Sequence, residues 1–240
     1  MRLTERIKKE ILFELFIFWT GITFACLLFW NNYIVLAFLF FLSGVTIYVQ
    51  KKKYDILFYF TAVLVGSSAE IICVNFGAWS YTNPMFLGVP VWIALGWGLV
   101  LLLVKRMSET FVKMEKSDYK LIGRFPRFKK GFWTVLLVFF LSIMSLSFHW
   151  TNNTYVFMML ALLTVISLFF WNSGFDRLFF INGAVIGTLM EIVCIRFGIW
   201  AYANPMFLGI TIWTPLMWGL WILMMKGICE TIVKIEKIKI

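Results

Sequence analysis

Histidine is nearly absent: the 240 residues include one, His149. The four cysteines, Cys26, Cys73, Cys194 and Cys229, form no C-x-x-C pair. Zinc sites and histidine-rich di-iron sites need such ligands at short spacing, so no metal centre is expected. No phosphate-binding loop, dinucleotide fingerprint or Ser–His–Asp set is present, and no cofactor is expected. Charge is also scarce, at 14% of residues, while 62% are hydrophobic and mean hydropathy is +0.88. A soluble domain of this length has too little interior for so much apolar surface, whereas a bilayer offers an apolar solvent.

Eight apolar runs are present, at about 11–30, 33–49, 55–76, 84–104, 132–149, 154–171, 177–197 and 205–225. Lipid admits only helices or closed barrels, and a barrel needs alternating polarity. These runs are apolar on all sides. The expected fold is therefore all-α and integral to a membrane, with eight transmembrane helices. No clear small-residue cleavage site ends the first run, so it reads as a retained span.

The net charge of +10 comes from 22 basic and 12 acidic residues, and its placement argues against nucleic acid as a partner. With an even number of helices, every basic residue but Arg196 falls on one side. That is the positive-inside pattern, so both termini are expected to be cytoplasmic in a multi-pass cell-membrane protein. The basic excess then serves orientation and contact with anionic lipid headgroups.

An internal repeat organises the chain. Residues 66–116 align with 187–237 without a gap, with 27 identities in 51 positions. Asn31-Asn32 matches Asn152-Asn153, and Asp55 matches Asp176. The expected organisation is a four-helix repeat at 1–116, a basic cytoplasmic linker at 117–130, and a second four-helix repeat at 131–240. Four helices per unit make the repeats parallel, about an axis along the membrane normal.

The repeated signature is EIICVNFGAWSYTNPMFLG from Glu70 and EIVCIRFGIWAYANPMFLG from Glu191. A charged side chain deep in the bilayer costs at least ~2.5 kcal/mol, so it faces a partner or a cavity. Glu70 and Glu191 are the candidate proton donors; the plainer reading is a neutral acid that ties two helices together. Trp79, Trp200, Trp97, Trp218, Tyr81 and Tyr202 read either as interfacial anchors and packing groups or as the lining of a cavity whose indole faces attract cations. Asn83 and Asn204, in Asn-Pro turns expected to start helices four and eight, are further candidate substrate contacts. So is Arg196, which reads first as a cation snorkelling to the surface and second as a partner of the glutamates. Glu109 and Glu230 lie in matching tails that read as amphipathic surface helices without chemistry.

The order Glu70, Gly77-Ala78-Trp79-Ser80-Tyr81, Gly88-Val89-Pro90, Trp97 resembles two related groups of carotenoid-pathway membrane proteins. One is the bacterioruberin-type carotenoid hydratase family; the other is the small, internally duplicated lycopene cyclase family. The resemblance covers about 50 residues of each half. It implies acid-initiated chemistry on a hydrophobic isoprenoid or carotenoid-like lipid, by cyclisation or hydration. An alkene is a poor base, so the acid must be undissociated, and desolvation favours that form of a carboxyl. A lipid-binding or proton-coupled transport protein, and a structural partner in a membrane complex, are the alternative expectations.

Overall fold

A computed structural model describes residues 5–50, 52–114, 128–171 and 173–238. Of the expected linker, 117–127 lies outside the described residues, and 128–130 open a helix. Eight helices follow in order: α1 (Glu5–Leu28), α2 (Asn32–Gln50), α3 (Asp55–Asn75), α4 (Ile93–Met114), α5 (Phe128–His149), α6 (Asn153–Phe170), α7 (Gly174–Arg196) and α8 (Thr214–Ile238). Two three-residue strands, β1 (Trp79–Tyr81) and β2 (Trp200–Tyr202), interrupt them. Seven of the helices are long and apolar enough to cross a bilayer, which is the character of a multi-pass membrane protein. The eighth, α4, carries Lys105, Arg106 and Glu109 in its second half.

Burial sorts the helices. In α8 72% of the apolar window is buried, against 28–44% in the other six apolar helices, so α8 is central. Helix α3 packs along α4 and α7 along α8; the pairs then cross-pack, α4 on α7 and α3 on α8. Helices α1 and α5 lean on α4 and α8 from outside. The outer faces are apolar, with Phe40, Phe41, Trp133, Val165 and Phe169 exposed. Such faces need lipid as their solvent.

Helices four and eight begin nine residues later than the apolar runs do. The apolar pattern continues through 84–92 and 205–213, but the backbone there cannot be helical. Leu87 and Gly88 take φ of 48° and 82°, and Leu208 and Gly209 take 53° and 84°. Paired positive φ at the centre of a four-residue turn is a hairpin-type turn, and Phe86 bridges Val89 as Phe207 bridges Ile210. Pro84 thus sits in a loop, not in a first helical turn.

Polar ties fix these loops. Asn83 Nδ2 donates to Phe29 O at 3.0 Å, and Asn204 Nδ2 donates to Thr151 O at 3.0 Å. Asn32 and Asn153 return the contact to Asn83 O and Asn204 O at 3.1 and 3.0 Å. An offset of 121 residues relates the asparagines of the two halves, while the other acceptor moves from Phe29 to Thr151, one residue beyond its equivalent Trp150. The matched asparagines therefore staple each long loop to the preceding helix turn.

At the opposite end, α4 and α8 extend past the expected spans because their charges are neutralised internally. Asp55 accepts from Lys105 at 2.9 Å and from Arg106 at 2.6 Å; Asp176 accepts from Lys226 at 2.5 Å. Glu109 pairs with Lys105 and Glu230 with Lys226, so neither belongs to a separate surface helix. Arg106 is wholly buried and also holds Glu14 at 3.1 Å.

Breaking a buried ion pair from one side costs about 3–5 kcal/mol. Asp55→Asn takes a carboxylate from two cations at once, leaving Lys105 with Glu109 and Arg106 with Glu14, whereas Asp176→Asn takes one from Lys226 alone and leaves it Glu230. Asp55→Asn is therefore expected to lower the thermal midpoint in a fixed detergent more than Asp176→Asn does. Equal losses would show that Glu14 and Glu109 compensate for the missing carboxylate.

Candidate functional site

The strand pair builds the site. β1 and β2 run antiparallel with Trp79 opposite Tyr202, Ser80 opposite Ala201 and Tyr81 opposite Trp200. Under the 121-residue offset, Ser80 and Ala201 are each other's equivalents, so a pseudo-twofold axis passes through their pairing. The same axis passes between Trp97 and Trp218, whose rings stack with centroids 4.6 Å apart. Alternation along each strand turns Trp79, Tyr81, Trp200 and Tyr202 inwards, and all four are buried. They are not an interfacial belt.

What these rings face is the glutamate pair. Trp79 Nε1 donates to Glu70 Oε1 at 2.8 Å, and Tyr81 donates to the same oxygen. Trp97 Nε1 reaches Glu70 Oε2 at 3.3 Å. Trp200 Nε1 donates to Glu191 Oε2 at 2.6 Å, and Trp218 Nε1 donates to Glu191 Oε1 at 3.0 Å. An indole N–H is a donor only, so each carboxyl is cast as acceptor by every indole around it. No cation pairs with either glutamate among the described residues. Arg196 lies exposed at the end of α7.

Glycine makes room for this geometry. A Cβ on Gly66 would meet the Trp97 ring at 2.6 Å, and one on Gly187 would meet the Trp218 ring at 2.1 Å. These glycines sit one helical turn before Glu70 and Glu191, so each indole lies flat on the helix that carries its acceptor.

Both glutamates line one partly open cavity, with about 840 Å³ of empty space including its mouth. It runs between α1 and α4 and is capped by Met190, Glu191 and Cys194 of α7. Along α4 it extends from Ile93 to Leu103, ten residues or about 15 Å at 1.5 Å per residue. Tyr81, Trp92, Trp97, Trp200 and Trp218 line the acid end. Asn83, Asn204 and Arg196 do not line it.

The second half has filled the corresponding space. Gly96 and Val100 line the cavity, and their equivalents are Met217 and Trp221. Both are fully buried, and Trp221 Nε1 donates to Ser142 Oγ at 2.9 Å where the first half has Gly21. Trp213 donates to Asn153 Oδ1 at 2.8 Å, yet the equivalents of this pair, Trp92 Nε1 and Asn32 Oδ1, are both buried without a partner among the described residues.

Sequence reasoning missed Glu14, Gly96 and the filling role of Trp221. Glu14 carried a readable signal, being an acid inside the apolar run ILFELFIFW. Nothing in composition distinguishes a tryptophan that lines a cavity from one that plugs it.

Glu70→Gln keeps an acceptor for Trp79 and Tyr81 at the Oε1 position but sets its amide N–H2 against the Trp97 N–H, and an unsatisfied buried group costs about 1–3 kcal/mol. Glu70→Gln is expected to lose that much stability, and Glu70→Gln/Trp97→Phe to be no less stable than Glu70→Gln alone. Additive losses in this double-mutant cycle would mean that the two side chains are not coupled. No protein-family model, no curated protein and no solved structure matches the chain.

Proposed function

We propose that the chain is a membrane enzyme that protonates the end of an isoprenoid or carotenoid-like lipid. The observation that carries the reading is the joint placement of Glu70 and Glu191 at one end of an apolar slot, among indole rings. The same residues carry the resemblance to the carotenoid hydratases and the duplicated lycopene cyclases. Eight spans, including α4, form two parallel four-helix units in the cell membrane with both termini cytoplasmic. Anionic headgroups meet the basic face.

Glu70 Oε2 has one long indole contact, at 3.3 Å, while Oε1 takes two donors. Oε2 is thus the oxygen that carries the transferable proton. That proton passes to one carbon of a terminal alkene, whose π pair forms the new C–H bond. The adjacent carbon becomes cationic beside the Trp92 ring and the two carboxyl groups, since Trp97 and Trp218 stack on each other. Glu191 and the Glu70 carboxylate left behind balance the charge. A second alkene then closes a ring and a neighbouring C–H proton returns to a carboxylate, giving an isomer. Alternatively water adds its oxygen and gives up a proton to the carboxylate, giving a hydrate.

Proton-coupled lipid binding or transport is the second reading. It is favoured by the length of the slot, which joins the glutamate pair to the charged cluster around Glu14.

The test is to express wild type, Glu70→Gln, Glu191→Gln and Gly96→Leu in a host supplying linear carotenoids and shorter prenyl lipids, and to profile extracts by mass. A Cβ on Gly96 meets nothing within 4 Å, so leucine there fills the slot without straining the helix. A gain of one water, or a new isomer, is expected in wild type and is lost in all three variants. An unchanged profile from folded wild-type protein would overturn the enzymatic reading for these lipids.

A further inference from the structure

The far end of the slot carries its own polar group. Glu14 is 2% exposed and lines the cavity about three turns of α1 away from Ala25 at the acid end. Its Oε1 accepts from Arg106 at 3.1 Å, and among the described residues Oε2 has no hydrogen-bond partner. A buried carboxylate oxygen left open to a cavity is an acceptor awaiting a donor.

Comparison of the two halves ties Glu14 to the slot. The equivalent of Glu14 is Val135, and the equivalent of Arg106 is Gly227. These two pack directly, because a Cβ on Gly227 would meet Val135 Cγ2 at 2.8 Å. Where the cavity is filled by Met217 and Trp221, the carboxylate and its arginine are gone; where it is open, both are present. Lys105–Asp55 and Lys226–Asp176 are common to both halves, so the helix-end ion pair does not require Glu14.

We infer that the slot binds a neutral lipid alcohol, with its hydroxyl donating to Glu14 and its apolar tail ending at Glu70 and Glu191. The slot's length of about 15 Å is half of the ~30 Å hydrocarbon core, the reach of one leaflet-length tail. A cationic amphiphile is disfavoured, because two cations, Arg106 and Lys105, already stand against the carboxylates of Glu14 and Asp55. A hydrocarbon without a donor leaves Oε2 unsatisfied. The inference rests on the lipid slot proposed above and names the class of molecule it takes.

The test titrates ω-bromododecanol and ω-bromododecyl methyl ether into the protein in lipid nanodiscs. The readout is the saturable part of tryptophan quenching, since the bromine of a seated probe lies beside Trp97 and Trp218. The alcohol is expected to bind roughly tenfold tighter than the ether, the difference of one charge-assisted hydrogen bond. Glu14→Val/Arg106→Gly installs the second half's own pair and is expected to bind both probes alike. Glu14→Gln, which leaves an acceptor for Arg106, is expected to lose the preference as well. Equal binding of alcohol and ether to wild type, or a preference that survives in both variants, overturns this inference and leaves the slot itself standing. Absence of saturable quenching by either probe, with no change in Gly96→Leu, overturns the slot as a lipid site and this inference with it.

Discussion

Two carboxyls buried without a cation set the terms of this structure. In an apolar interior such a group must be satisfied by hydrogen bonds. Indole N–H groups are suited to the task, since they donate while presenting an apolar body to the surrounding helices. The Trp79 and Trp200 donors come from the strand pair, and the Trp97 and Trp218 donors come from the central helices. This demand explains several features together. The chain turns back after α3 and α7 to bring strands inwards. Gly66 and Gly187 clear space for the flat rings. Helices α4 and α8 start late because the intervening residues are committed to the hairpin-type turns.

Duplication supplied the glutamate pair, and divergence left a cavity in one half. Substitution of small or aliphatic residues by Met217 and Trp221 closes one half around a well-packed interior. The other half keeps Gly21, Gly96 and Val100 and therefore an open slot. The consequence is one cavity that holds both glutamates, with Glu191 reaching it from across the pseudo-axis. Among the described residues, open polar atoms remain in both halves: Glu14 Oε2, Trp92 Nε1 and Asn32 Oδ1 in the first, and Ser145 Oγ, Thr164 Oγ1 and Thr188 Oγ1 in the second.

Much of this was legible beforehand, for reasons of composition and period. Apolar runs longer than a leaflet specify a membrane protein whatever their neighbours do. An ungapped repeat locates Glu70 with Glu191 and pairs Trp97 with Trp218 before any coordinate is known. The matched asparagines were visible as a repeat, and their hydrogen bonds staple the loops. The apolar pattern misplaced the starts of two helices. Hydrophobicity records solvent preference, while the positive φ at Leu87 and Leu208 is a backbone property that it does not encode.

The sequence by itself determined the solvent, the duplication and the identity of the chemical groups. These depend on local composition and on self-similarity, which are properties of the chain as written. Tertiary structure alone decided that the Gly-x-Trp-x-Tyr segments pair with each other, that Arg196 stays out of the site, and that one of two equivalent spaces is filled. Each of those outcomes is a contact between residues far apart in the chain. The difference between a cavity and a plugged core is a few side-chain volumes at Gly96 and Val100, summed over helices that meet only when the protein folds.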